Sequence, residues 1–297
     1  MTFRTAYLMI GFAAAFLLAV VSCKKDSTTT PTPITPAGPR LILKFKFDST
    51  QVRLNNFGLP STIPANHAAQ SPHFNKMSAH YVEFARNAFT ALGAGKVVYH
   101  APETNLGGGT AIDHDLGIEV ADNGEFLNIP LTSLDTGVYQ WLRVSLAYQN
   151  YDVRFSVFGS TYTGTIASFI GYKTYIGSYH IHDSLVTVNA NRLQGYWAFE
   201  VDQPFFPVVT GQAPGTTVVN PLFSTSPIPA GSCVETGQFA TPLHITGSET
   251  SDVVIVVSLS TNKSFEWVEH GGNTLYQPLE GDTVTDMGVR GLIPIVQ

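Results

Sequence analysis

Apolar and polar residues alternate in short runs along most of the chain. Leu41, Leu43, Phe45 and Phe47 are interleaved with Ile42, Lys44 and Lys46, a two-residue period that sends alternate side chains to opposite faces of a strand. The pattern recurs over residues 80–85, where Val82 and Phe84 oppose Glu83, and over 138–146, where Val138, Leu142, Val144 and Leu146 share a side. It returns over 151–158, with Val153, Phe155 and Val157 opposed to Asp152, Arg154 and Ser156. Further strands are predicted over 174–182, 185–189, 196–201, 252–260 and 292–296. Gly, Pro, Asn and Asp punctuate the runs, as at Asp135-Thr136-Gly137 and at Asp122-Asn123-Gly124, which reads as a hairpin turn. No segment after residue 40 keeps a 3.6-residue stripe over three turns. Many short strands without helices predict an all-β fold, an antiparallel β-sandwich of the Ig-like or jelly-roll-like kind.

Residues 202–242 break the rhythm with seven prolines, which cannot donate to a central ladder. They read as a long loop or insertion across a single domain of residues 40–297, with a division into two subdomains as the alternative. No internal repeat of fixed period is present.

The first 22 residues carry one early cation, Arg4, and then the uncharged run LMIGFAAAFLLAVV from Leu8 to Val21. At 14 residues the run is shorter than the roughly 20 needed to span a bilayer, and it fits the apolar core of a secretory signal peptide. Its end, Val20-Val21-Ser22-Cys23, resembles the lipobox of bacterial lipoproteins, and Cys23-Lys24-Lys25-Asp26 with the Thr/Pro-rich residues that follow resembles lipoproteins of the Bacteroidota. The resemblance implies cleavage after Ser22, lipidation of Cys23, and a tether over residues 23–39. The expected location is the cell envelope at the outer membrane, on either face, with the membrane as partner through the N-terminal lipid. Several acyl chains make such an anchor stable, because each buried CH₂ contributes about 0.8 kcal/mol.

Composition narrows the remainder. Only 13% of the 297 residues are charged, too few for a disordered chain or a coiled coil. A net charge of -6 argues against a nucleic-acid partner. Removing 22 residues with Arg4 leaves 297 - 22 = 275 residues at -7. With Cys23 lipidated, Cys233 has no intrachain partner for a disulfide.

The order of segments in the body resembles the MbnP-like domain of periplasmic and lipid-anchored bacterial proteins. The matching parts are Leu41-Ile42-Leu43-Lys44-Phe45-Lys46-Phe47-Asp48 with Val52-Arg53-Leu54, then Phe126-Leu127-Asn128-Ile129-Pro130-Leu131 with Asp135-Thr136-Gly137-Val138-Tyr139. Leu142 to Leu146, Gly195-Tyr196-Trp197-Ala198-Phe199, and Val253 to Leu259 with Asn262-Lys263-Ser264-Phe265 continue the match. The chain departs from the family at Tyr81-Val82-Glu83-Phe84-Ala85-Arg86-Asn87. The resemblance implies copper binding in the periplasm.

Candidate chemistry centres on Tyr179-His180-Ile181-His182-Asp183. Residues two apart on a strand share a face, so His180 and His182, with Asp183 beside them, would present imidazoles to copper or zinc. A solvent-facing pair without a third ligand is the plain alternative. Asp113 and Asp115, after Gly107-Gly108-Gly109, offer oxygens to Ca²⁺ or accept backbone N–H groups in a turn. Trp141, Trp197 and Trp267 are either glycan platforms or core. Cys233 reads as a shielded side chain or a soft ligand. Hydrolase-elbow, zincin, P-loop and dinucleotide motifs are absent, while a carboxylate pair such as Glu266 and Glu269 stays open. The expected function is non-catalytic binding of a transition metal at the envelope. The alternatives are a glycan-binding or adhesin module and a structural subunit of an envelope complex.

Overall fold

The alternation over residues 41–47 becomes the first strand, Arg40–Asp48 (β1), in which Leu41, Leu43 and Phe45 are fully buried and their neighbours half-buried. The computed structural model describes residues 38–55, 57–204, 206–213, 228–229 and 231–297. The signal-peptide, Cys23 and tether readings up to residue 37 lie outside these residues.

The next strands are His67–Gln70 (β2), His73–Ala85 (β3), Lys96–His100 (β4), Glu103–Thr104 (β5), Ala111–Asp113 (β6), Glu119–Val120 (β7) and Gly124–Pro130 (β8). Gly137–Val157 (β9), Ser160–Phe169 (β10), Lys173–His180 (β11), Leu185–Leu193 (β12), Tyr196–Val201 (β13) and Val209–Gln212 (β14) follow. The chain closes with Cys233–Ile245 (β15), Val253–Ser260 (β16), Phe265–Val268 (β17), Thr283–Met287 (β18) and Leu292–Val296 (β19). The helical elements among the described residues are short 3₁₀ turns at His114–Leu116, Leu131–Ser133 and Pro278–Glu280.

The fold is all-β and predominantly antiparallel. One sheet runs β19-β16-β1-β8, and a larger one runs β14-β13-β10-β9-β3-β4, with β15 also on β9 and β7 on β3. Two smaller sheets run β12-β11-β6-β5 and β18-β17-β2. The β1–β16 and β6–β11 pairs are parallel. The main core lies between the first two sheets, where Leu43, Phe45, Val257 and Leu259 share a cluster with Val82, Phe84, Leu142 and Val144. Each such side chain contributes roughly 1.5–3 kcal/mol by leaving water, and this face-to-face packing makes the sandwich.

Several strands differ from the alternation in the sequence for identifiable reasons. The runs at 138–146 and 151–158 are one 21-residue strand, β9, because Gln149 and Asn150 between them are buried rather than at a turn. Asn150 is satisfied by donating Nδ2 to the Ile181 carbonyl at 2.8 Å. Strand β10 has a Thr/Ser/Gly-rich sequence without apolar alternation; its two-residue link from β9, Phe158 and Gly159, has positive φ at both positions. Asp122-Asn123-Gly124 is a turn, but it joins β7 on the large sheet to β8 on the first, so it does not close a hairpin. The Pro-rich stretch 202–242 is not a continuous loop. Strand β14 lies within it, and β15 begins at Cys233, with Pro242 inside the register shift between Gln238 and Leu243 where no ladder donor is required. Its residues 205, 214–227 and 230 lie outside the described ones.

Burial also tunes an acid in this sandwich. Glu235 on β15 is buried, and its carboxyl is pushed up to about 7 by desolvation, which Arg290 and the Gly291 N–H oppose and Asp286 reinforces. A carboxyl raised in the folded state favours folding while protonated. Its contribution is therefore full below the ordinary range near 4.5 and is lost as pH rises through about 7. Urea unfolding is expected to show a loss of about 3 kcal/mol from this group between pH 4 and pH 8. Glu235→Gln should remove that component; a variant retaining the same pH slope would contradict the assignment.

Candidate functional site

Two histidines and a glutamate from three successive elements converge. His80 lies on β3, His100 ends β4 and Glu103 opens β5. The antiparallel β3–β4 pairing sets Tyr81 opposite His100, and the Ala101 N–H donates to the His80 carbonyl at 2.8 Å. Pro102 then carries the chain across to the four-stranded sheet, where Asp113 donates its N–H to the Pro102 carbonyl at 2.9 Å and Glu103 pairs with Ile112. The segment His100-Ala101-Pro102-Glu103 thus swings from one sheet to another and brings its two functional ends back over His80.

Glu103 Oε1 is the meeting point. His80 Nε2 lies 3.0 Å from it and His100 Nε2 3.5 Å, and the Tyr172 hydroxyl donates to it at 3.3 Å. The three ligand-capable atoms of His80, His100 and Glu103 all lie within 4.8 Å of one another. The His80 side chain is fully buried, whereas His100 and Glu103 are 43% and 26% exposed, so the cluster has a closed floor and an open mouth. Aromatic rings brace it: Tyr81 stacks on His100 at 4.3 Å and meets His80 edge-on at 4.6 Å, while Tyr172 stands 5.4 Å from His80.

Burial pushes His80 down to about 4, against the raising effect of the Glu103 hydrogen bond and charge, so the ring is neutral at pH 7. Neutral imidazole is the form that ligates metals. Burial and the adjacent Glu103 push the Tyr172 hydroxyl up, which keeps it protonated and able to donate. His80 Nδ1 is buried with no hydrogen-bond partner among the described residues. Two imidazole nitrogens and one carboxylate oxygen suit Zn²⁺ or Cu²⁺, and a three-ligand set leaves a coordination position on the exposed side.

The residues singled out in the sequence are placed elsewhere. Strand β11 stops at His180, and His182 lies in the following turn, so the shared-face premise does not apply to them. The His182 backbone N–H donates to Glu200 Oε2 at 3.0 Å, and its Nδ1 sits 3.4 Å from Asp183. Among the described residues, neither histidine nor Asp183 belongs to a cluster of three ligand-capable groups. Instead His180 lines an open polar cleft with Lys76, His114, Asp115 and Glu119. Asp115 is exposed there and accepts the Gly177 N–H at 3.3 Å. Asp113 is buried ahead of the 3₁₀ turn without a side-chain capping bond, and it is not grouped with Asp115.

Burial pushes the Cys233 thiol up, leaving it protonated. Glu266 is engaged by Arg53 at 2.7 Å and His67 at 2.6 Å, and Glu269 accepts from Trp267 Nε1 and the Gly271 N–H. Trp267 is fully buried, and Trp197 lines an apolar cleft of about 420 Å³ with Phe155, Phe199 and Tyr276.

His80 carries no local signal of ligation, because it sits between Ala79 and Tyr81 within a strand. His100 and Glu103 carried a legible signal, a His-x-x-Glu spacing across a proline, but their convergence on His80 depends on the β3–β4 pairing. Comparison with protein-family models, with curated proteins and with solved structures gives no match to this chain.

Proposed function

We propose that this chain is a lipid-anchored protein of the cell envelope, held at the outer membrane through Cys23, that binds a transition metal, zinc or copper, without covalent chemistry. The observation that carries the metal reading is the convergence of His80, His100 and Glu103, with one imidazole buried and neutral. The lipobox-like Cys23 junction and the resemblance of the body to MbnP-like domains support the location and the class of ligand. The binding residues differ from those suggested by the sequence. His80, His100 and Glu103 hold the ion, and His180, His182 and Asp183 do not.

The test is metal retention. The chain is incubated with Zn²⁺ or Cu²⁺, desalted and analysed for bound metal. One ion per chain is expected, and a His180→Ala/His182→Ala variant should retain it equally. No retained metal in the unaltered chain, or loss of metal in that variant, would sink the proposal.

A further inference from the structure

Resting on that reading, we propose that Tyr172 is the positioning residue of the metal site, its hydroxyl holding the Glu103 carboxylate where it closes on an ion with His80 and His100. Three groups approach the same oxygen, Glu103 Oε1: His80 Nε2 at 3.0 Å, His100 Nε2 at 3.5 Å and Tyr172 Oη at 3.3 Å. When the imidazole nitrogens turn their lone pairs to a metal they cease to be donors to the carboxylate. The tyrosine hydroxyl is then the remaining donor of the three. A ligating carboxylate that keeps such an outer hydrogen bond is oriented, and losing that bond typically weakens metal affinity 10- to 100-fold, on the order seen for outer-shell partners generally.

The two partners are held very differently. Glu103 sits partly exposed on a two-residue strand, and a free glutamate side chain must surrender several rotamers to bind. Tyr172 is anchored. The Ile170 and Gly171 N–H groups both donate to the Ala147 carbonyl, at 2.9 and 3.0 Å, tying the β10–β11 link to β9. Gly171 lets the link pass close to the neighbouring sheet, since a Cβ there would stand 2.5 Å from Ile112 Cδ1 and push that side chain aside. The Tyr172 ring packs on the small cluster of Ala101, Ile112 and Ala147 and lies 5.4 Å from the His80 ring. An anchored donor from the β10–β11 link thus holds a partly exposed acceptor on β5.

The experiment is a double-mutant cycle read with Cu²⁺, which binds nitrogen and oxygen donor sets more tightly than Zn²⁺ and keeps weakened variants measurable. Competition with a coloured chelator gives the affinity of the full chain and of Tyr172→Phe, Glu103→Ala and the double variant. Tyr172→Phe is expected to bind about 10- to 100-fold more weakly, with thermal unfolding of the metal-free chain unchanged because the ring remains. In the Glu103→Ala background the same substitution should add no further loss. Equal affinity of Tyr172→Phe and the unaltered chain would overturn the inference and leave the metal site standing. So would a full additional loss in the Glu103→Ala background. No Cu²⁺ binding by the unaltered chain would overturn the site reading, and this inference with it.

Discussion

Arg143→Ala is expected to destabilise the fold by about 3–5 kcal/mol, because it strips the counter-ion from a buried carboxylate. Both Glu83 and Arg143 are essentially inaccessible, with Arg143 Nη1 3.8 Å from Glu83 Oε1. Glu83 also accepts the Gly95 N–H at 2.6 Å and the Gly93 N–H at 2.9 Å. Burial raises the Glu83 carboxyl, against the lowering effect of these two N–H groups and of Arg143. Truncating the arginine leaves an uncompensated group and a void between β3 and β9. The double variant Glu83→Gln/Arg143→Met removes both charges and fills the space, so it should retain more stability than Arg143→Ala alone. Urea unfolding measures all three chains; a loss below about 1 kcal/mol for Arg143→Ala would mean that the pair is solvated and that the packing described between β3 and β9 is wrong.

His80→Ala is expected to weaken Zn²⁺ or Cu²⁺ binding by more than about 100-fold, beyond the range for outer-shell changes, since it deletes a direct ligand. Burial keeps this imidazole neutral before an ion arrives, so at pH 7 binding needs only the shift of its proton from Nε2, which faces Glu103, to the unpartnered Nδ1. Its removal also opens a cavity beneath His100 and Tyr81, which makes a stability control necessary. His100→Ala provides that control, because His100 is 43% exposed and its loss leaves the core intact. Equilibrium dialysis should show strong loss for both variants, with near-native unfolding for His100→Ala. Undiminished binding in either would contradict the assigned ligand set.

Much of the architecture was legible along the chain. The β1 segment follows its alternation closely, because it has one buried and one wetter face. The middle of β9 was not legible as strand, since burial on both faces erases the polar–apolar contrast and Gln149 and Asn150 look like a break. Strand β15 was hidden by Pro242 within it and the prolines ahead of it, until the register shift showed how Pro242 is accommodated. The candidate site was less legible still. Local spacing made His180 and His182 neighbours, but the end of β11 separates their roles. His80 and Glu103, 23 positions apart, meet only through the β3–β4 pairing and the turn at Pro102. Side-chain convergence of this kind is a property of topology, and one sequence alone does not encode it in its periodicity.

The most direct measurement of the central claim is diffraction at the zinc absorption edge from crystals of the chain grown with Zn²⁺. The account predicts an anomalous peak about 2.0–2.2 Å from His80 Nε2, His100 Nε2 and a Glu103 carboxylate oxygen. A peak at His180 and His182, or no peak beside Glu103 at saturating zinc, would contradict it.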